Sequence, residues 1–148
     1  DLGLIPPYRA VAQASVAGVQ FALEELKVSN IIILGHSKNP AIHRLMLMKG
    51  DRLEIDNTEL DSLSRWLSIG IPARNAVITQ LKNLPPAKQE AELEKELVLH
   101  SMNNLLGYPQ VQTLMDADRL QIFGWHFDIE SGVMLSFDPD TQQFEPID

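Results

Sequence analysis

The order of apolar and polar positions predicts helices alternating with strands along this chain. A helix is expected over Arg9–Lys27, because apolar residues recur there at spacings of four and three and form one stripe. The residues of the stripe are Ala12, Val16, Val19, Leu23 and Leu26. The continuous apolar run Ile31–Leu34 is typical of a strand covered on both faces, as in a parallel sheet. A helix followed by such a strand is half of a βαβ unit, so a strand is expected before residue 1.

Prolines and short apolar stripes predict a helical middle. Helices are expected over Ala41–Met48, from Pro72 until Pro85-Pro86, and from Pro109. Another is expected to begin at a capping box of Thr58 and Asp61. Its apolar face would hold Leu60, Leu63 and Leu67. The charge-rich stretch AKQEAELEKE, at residues 87–96, begins a further helix. Its glutamates are expected on a solvated face: Glu90, Glu92, Glu94 and Glu96.

Two strand-like runs close the chain. They are Leu120–Phe127 and Val133–Phe137, separated by a turn at Glu130-Ser131-Gly132, and the second is expected at an edge of the sheet. The fold class predicted from these elements is α/β, a mainly parallel sheet flanked by helices. The length of 148 residues fits a single domain over residues 1–148.

Charge and cysteine content exclude several kinds of partner and site. A net charge of −8 argues against nucleic acid and anionic membranes, which both favour basic patches. No apolar run approaches the ~20 residues that a membrane span needs. The chain has no cysteine, which excludes disulfides, thiolate catalysis and cysteine-ligated zinc and fits a cytoplasmic location.

The segment GHSKNPAIHRL, at residues 35–45, is the main candidate for chemistry. His36 stands where the predicted strand ends, a position that often holds a catalytic or metal-binding side chain. The residues that follow it are Ser37, Lys38 and Asn39.

Several motifs stand in one order along the chain: IPPY at 5–8, IIILGHS at 31–37, ELVLHSMNNLLGYPQVQ at 96–112 and RLQIFGWHFDIESG at 119–132. This order resembles the later part of a β-class carbonic anhydrase, in which an apolar strand leads into a Gly-His-Ser-x-Cys-Gly loop. The matching positions are Gly35, His36, Ser37, Val98, Leu99, Asn104, Leu105, Pro109, Val111, Gly124, Trp125, Asp128, Ile129 and Gly132.

The resemblance implies a zinc site held by two cysteines and one histidine. The histidine matches His36, the second cysteine falls at Asn39, and the glycine after it falls at Pro40. The first cysteine belongs to a Cys-x-Asp-x-Arg segment that lies upstream of residue 1. The resemblance therefore also implies that the first strands of the fold are missing from this chain.

The departures at this loop predict a degenerate zinc site. Zinc prefers thiolate, imidazole or carboxylate ligands, whereas the carboxamide of Asn39 is neutral and a poor ligand. Lys38 adds a positive charge beside the site, and Pro40 fixes φ and removes a backbone donor. Without the metal, no bound water has its pKa lowered for attack on carbon dioxide. We therefore expect no catalytic residues and a non-catalytic structural, regulatory or interaction subunit.

Two alternatives remain open. The first is an active carbonate dehydratase, hydrating carbon dioxide to bicarbonate, whose zinc is held by unusual or externally supplied ligands. His36 with His43 and an acidic residue is one such set. The second is a small-anion module in which Lys38 and Arg44 bind bicarbonate. His100 and His126 are expected to be ordinary, partly exposed residues.

The resemblance also implies assembly, because β-class carbonic anhydrases are dimers or multiples of dimers. We expect a homo-dimer or higher oligomer, with the helix Arg9–Lys27 as a plausible interface element. Otherwise a partner polypeptide would complete the sheet beside Ile31–Leu34.

Overall fold

A computed structural model describes residues 3–8, 13–48, 50 and 62–147. Its elements are α1 (Gln13–Glu24), β1 (Asn30–His36), α2 (Pro40–Leu47), α3 (Ser62–Leu67), a 3₁₀ turn (Ser68–Gly70), α4 (Ile71–Gln80), α5 (Pro86–Leu106), α6 (Pro109–Asp116), β2 (Gln121–Asp128), β3 (Val133–Asp138) and β4 (Gln143–Pro146). No helix within these ranges is long and apolar enough to cross a membrane.

The four strands form one sheet in the order β1-β2-β3-β4. β1 and β2 are parallel, whereas β2–β3 and β3–β4 are antiparallel. The α/β class is confirmed, although the described sheet is mixed, with one parallel pair. The prediction that Val133–Phe137 forms an edge is wrong, because β4 pairs with that strand and takes the edge position.

Two predicted helix ends are corrected. α1 ends at Glu24, and the left-handed φ of 54° at Lys27 turns the chain away, so Leu26 leaves the apolar stripe and is 62% exposed. α4 ends at Gln80, and Pro86 begins α5 instead of ending α4. Proline suits the first turn of a helix, where its missing N–H has no intrahelical acceptor.

Some predicted helical residues cannot be compared with the structure. Arg9, Ala12, and the group Thr58, Leu60 and Asp61 lie outside the described residues. Within α3, Leu67 is buried as expected, whereas Leu63 is exposed, so the predicted face is correct only in part.

The long helix α5 lies between two hydrophobic cores. Leu93 and Leu97 pack in one core with residues from α2, α3 and α4. Val98 and Leu105 pack in the other with Ile33 of β1 and residues from α1 and α6. α5 therefore connects the sheet to the group of short helices.

Only one face of β1 is well covered within the described residues. Ile33 is 4% exposed and faces the helices, whereas Ile32 and Leu34, which alternate with it, are 46% and 48% exposed. The expectation that β1 is covered on both faces is therefore not met by the described part of the chain.

Two glycines allow α5 to approach the sheet closely. A Cβ at Gly35 would lie 2.6 Å from Cγ2 of Val98, and a Cβ at Gly124 would lie 2.4 Å from Sδ of Met102. Contacts this short are not tolerated between carbon atoms and their neighbours in a packed interior. Any larger residue at these positions must displace the side chain of Val98 or Met102.

We predict that Gly35→Ala lowers the free energy of unfolding by about 1–3 kcal/mol, the usual cost of overpacking a core. The matched control is Gly18→Ala in α1, where a Cβ would meet nothing within 4 Å. That change should stabilise the protein by about 0.5–1 kcal/mol, since glycine is a poor helix former. Urea unfolding measures both. Equal effects of the two substitutions would contradict the proposed close contact.

Candidate functional site

The loop between β1 and α2 is tied to the end of β2. The backbone N–H of Ser37 donates to the carbonyl of Phe127 at 2.9 Å, and its Oγ accepts from the N–H of Ile129 at 2.9 Å. The loop thus lies at the carboxyl ends of two parallel strands, where α/β proteins usually bind their ligands.

His36 is half-buried at the end of β1. Its Nδ1 lies 3.0 Å from the carbonyl oxygen of Ser37. In that contact Nδ1–H donates, so the neutral ring keeps its lone pair on Nε2. By strand alternation His36 lies on the same face as Ile32 and Leu34, away from α5.

Asn39 is the N-cap of α2. Its Oδ1 accepts a hydrogen bond from the N–H of Ala41 at 3.0 Å, and Pro40 follows in the first turn. Asparagine is among the best N-cap residues because its oxygen satisfies a free N–H group of the first turn. The position that resembles a zinc-ligand cysteine therefore carries a capping oxygen that is already engaged.

The two predicted anion-binding cations each have a partner in the structure. Lys38 has a left-handed φ of 58°, and its Nζ lies 2.9 Å from Oε2 of Glu130 in an exposed ion pair. Nη2 of Arg44 donates to Oγ of Ser64 at 2.7 Å. The ion pair between Lys38 and Glu130 contributes little stability, because water and dissolved ions compete for both exposed side chains.

The described residues supply no complete set of zinc ligands at this loop. Catalytic zinc sites use three protein ligands, and the described residues contain no group of three or more histidine, cysteine or acidic side chains placed to hold a metal. His43, the other candidate ligand, directs Nδ1 to Oε1 of Glu90 at 2.8 Å. His43 is therefore engaged with a side chain of α5, whereas His36 contacts the backbone of its own loop.

Comparison with known proteins identifies the family. The protein-family model described as carbonic anhydrase matches residues 3–134. The chain belongs to the β-carbonic anhydrase family. Against β carbonic anhydrase 3 of Arabidopsis thaliana it is 32% identical over 87% of this chain and 49% of that one.

Solved β-carbonic anhydrases have the same fold. The structure of the β-carbonic anhydrase CcaA is 26% identical, with a TM-score of 0.87 over 99% of this chain and 69% of that one. A tetrameric β-carbonic anhydrase of Sordaria macrospora is 19% identical, with a TM-score of 0.74 over 91% of this chain and 64% of that one. The chain spans 49–66% of the lengths of three curated carbonic anhydrases that it matches.

The family motif that follows β2 forms a turn built on one carboxylate. Oδ1 of Asp128 accepts from the N–H groups of Glu130 at 2.8 Å and Ser131 at 3.1 Å. These bonds, from Ser131 first and then Glu130, lower the pKa of Asp128. Gly132 closes the turn with a φ of 71°, a conformation that glycine adopts without strain.

The family motif in α5 connects this helix to the start of the chain. Nδ2 of Asn104 donates to the carbonyl of Ile5 at 2.8 Å, and Nε2 of His100 lies 3.0 Å from the carbonyl of Ile69. Burial lowers the pKa of His100, and the contact with Ile69 partly opposes that shift. These motif residues have structural contacts away from the loop at residues 35–45.

Glu94 and His126 form a buried pair between α5 and β2. Their side chains are 9% and 4% exposed, and Oε2 of Glu94 lies 3.5 Å from Nε2 of His126. Neither ring nitrogen of His126 has a hydrogen-bond partner within the described residues. The predictions of a solvated Glu94 and a partly exposed His126 are therefore wrong.

Two spacings could have indicated this pair. Glu94 precedes Val98 by one helical turn, so both lie on the face of α5 that meets the sheet. His126 follows Gly124 by two residues, which places both on the same face of β2. Each spacing is visible in the sequence, but joining them requires knowing that α5 lies over β2.

We predict that Asn39→Ala lowers the free energy of unfolding by about 0.5–2 kcal/mol, because an N-cap bond is lost. Asn39→Asp keeps an acceptor at the same position and should cost much less. Urea unfolding of both variants tests the capping role. Equal losses for alanine and aspartate would contradict it.

For the buried pair, either Glu94→Leu or His126→Val should lower the free energy of unfolding by about 1–3 kcal/mol, since each leaves one buried polar group alone. The double variant should recover most of that loss, because it removes both polar groups together. A double-mutant cycle in urea measures the coupling. Losses that simply add would show that the two side chains do not interact.

Proposed function

We propose that this chain is a β-carbonic-anhydrase-like protein with a degenerate zinc site, acting as a non-catalytic structural, regulatory or interaction subunit. The observation that carries the proposal is the hydrogen bond from Ala41 N–H to Oδ1 of Asn39. It assigns a capping role to the position where the family resemblance places a zinc-binding thiolate.

The chemistry of the neighbouring residues supports the same proposal. His36 offers one imidazole nitrogen to a metal, whereas a catalytic zinc site needs three protein ligands. The ammonium group of Lys38 is adjacent in sequence and opposes binding of a cation. Without a metal to lower the pKa of bound water, hydroxide is not available near neutral pH to attack carbon dioxide.

The two alternatives make different demands on the protein. An active carbonate dehydratase needs zinc ligands from outside the described residues or from another chain. A bicarbonate-binding module needs Lys38 to leave Glu130, and Arg44 to accept an anion beside Ser64. Stabilisation of the protein by bicarbonate, lost on replacing Lys38, would favour the second alternative.

Homo-oligomeric assembly and a cytoplasmic location remain proposals. Assembly is supported by the tetrameric state named for a solved protein of the same fold. The exposed Ile32 and Leu34 also support it, because a second subunit would remove that apolar surface from water.

The decisive experiment measures zinc and activity on the same sample. After incubation with zinc and removal of the excess, elemental analysis should find no bound metal, and stopped-flow assays should find hydration no faster than in buffer. Asn39→Cys with Pro40→Gly should give at most weak zinc binding and no turnover, since it still lacks a third ligand.

His36→Ala is the matched control for that experiment. It should change neither the zinc content nor the hydration rate of the unmodified sequence. Stoichiometric zinc with hydration activity that His36→Ala abolishes would overturn the proposal and establish an active site with unusual ligands.

A further inference from the structure

β2 pairs with β3 along only half of its length. The ladder between them runs from Trp125 opposite Ser136 to Asp128 opposite Val133. The first part of β2, Gln121–Phe123, pairs with β1 alone. The two strands therefore separate towards the start of β2.

The separated part of β2 directs backbone groups away from β1. The N–H of Gln121 donates to the carbonyl of Ser29, on the β1 side. Because successive residues of a strand point their peptide groups to opposite sides, the N–H and C=O of Ile122 face the gap beside β3. This short segment of β2 can pair with a further strand on that side.

The gap is part of an apolar groove of about 750 Å³. Its walls include Met102 of α5, Met115 of α6, and Ile122 and Phe123 of β2, and Ile147 lies at the far side. Methionine side chains are flexible and adapt to different apolar partners. The groove is large enough to accept side chains in addition to an extended backbone.

The charges along the groove are all negative. Asp118, Asp138 and Glu145 line it, and the described lining contains no lysine, arginine or histidine. Oδ1 of Asp138 accepts from the N–H of Asp140, and Oε1 of Glu145 accepts from Thr141. Each of these two carboxylates keeps a second oxygen that these bonds do not use.

We propose that this groove binds an extended segment of a partner protein in which an apolar side chain lies between lysine or arginine residues. The segment would add to β2 at Ile122 through backbone hydrogen bonds, with its apolar side chain beside Met102 and Ile122, which lie on the same face of the sheet. Its cationic side chains would meet Asp118, Asp138 and Glu145. The complementary charge favours such a partner over a second copy of this chain, whose net charge is −8.

This inference deepens the interaction role proposed above and rests on it, but the two are tested separately. Zinc content and hydration rate decide whether the chain is catalytic, whereas peptide binding decides whether the groove is a docking site. Either result can fail without the other.

The test uses the full chain and a short blocked peptide that alternates lysine and valine, with a peptide that alternates glutamate and valine for comparison. We expect the lysine peptide to bind and to shift the backbone amide signals of Gln121–Gly124 in nuclear magnetic resonance spectra. Its affinity should fall as the salt concentration rises. The glutamate peptide should cause no shift. The double substitution Asp118→Asn/Glu145→Gln should weaken binding about tenfold, since it removes two carboxylates from the rim.

A matched control removes the same charge elsewhere. Glu92→Gln with Glu130→Gln, neither of which lines the groove, should leave the affinity unchanged, and circular dichroism should show that both double variants are folded. The inference is wrong if the lysine peptide does not bind, if both peptides bind equally, or if the shifts fall outside the groove. It is also wrong if the groove signals change on dilution of the protein alone, because a second copy would then occupy the groove.

Discussion

The close contact between α5 and the sheet determines where every other part of the site lies. Gly35 and Gly124 present no Cβ to the helix, so Val98 and Met102 reach the backbone of β1 and β2. The opposite side of α5 buries Leu93 against the short helices. Because α5 contacts both the sheet and α2, it fixes the position of α2 relative to β1 and β2. The loop after His36 therefore lies at the carboxyl ends of β1 and β2, whatever residues the loop contains.

A bound zinc ion and a helix cap are alternative ways to stabilise the conformation of this loop. A bound metal contributes binding free energy to the folded state. Here the loop is held by protein contacts: Asn39 caps α2, Ser37 bonds to both sides of the turn after β2, and Lys38 pairs with Glu130. These contacts account for the conformation of the loop, so the degenerate site that we propose is compatible with the family fold.

Hydrophobic periodicity predicted the type and place of most elements, because each depends on neighbours within a few residues. It missed β4, whose four residues are mostly exposed and end in a proline, and whose pairing with β3 is the main reason it is a strand. It also placed Pro86 at the end of one helix instead of the start of the next, since a proline pair is compatible with both. At the loop, the identity of Asn39 predicted the loss of a ligand, whereas its capping bond required the backbone geometry.

The burial of Glu94 shows why composition alone could not assign the acidic residues. A carboxylate takes its role from the donors and the dielectric around it, and these depend on tertiary structure. Asp128 accepts two backbone N–H groups, which lower its pKa, whereas burial raises the pKa of Glu96 on α5. Glu94, two residues before Glu96, faces His126 across the interior. Neighbouring glutamates of one charge-rich helix thus have different environments, because a rotation of about 200° separates residues two apart on a helix. The acidic stretch is therefore both a solvated surface and part of the core.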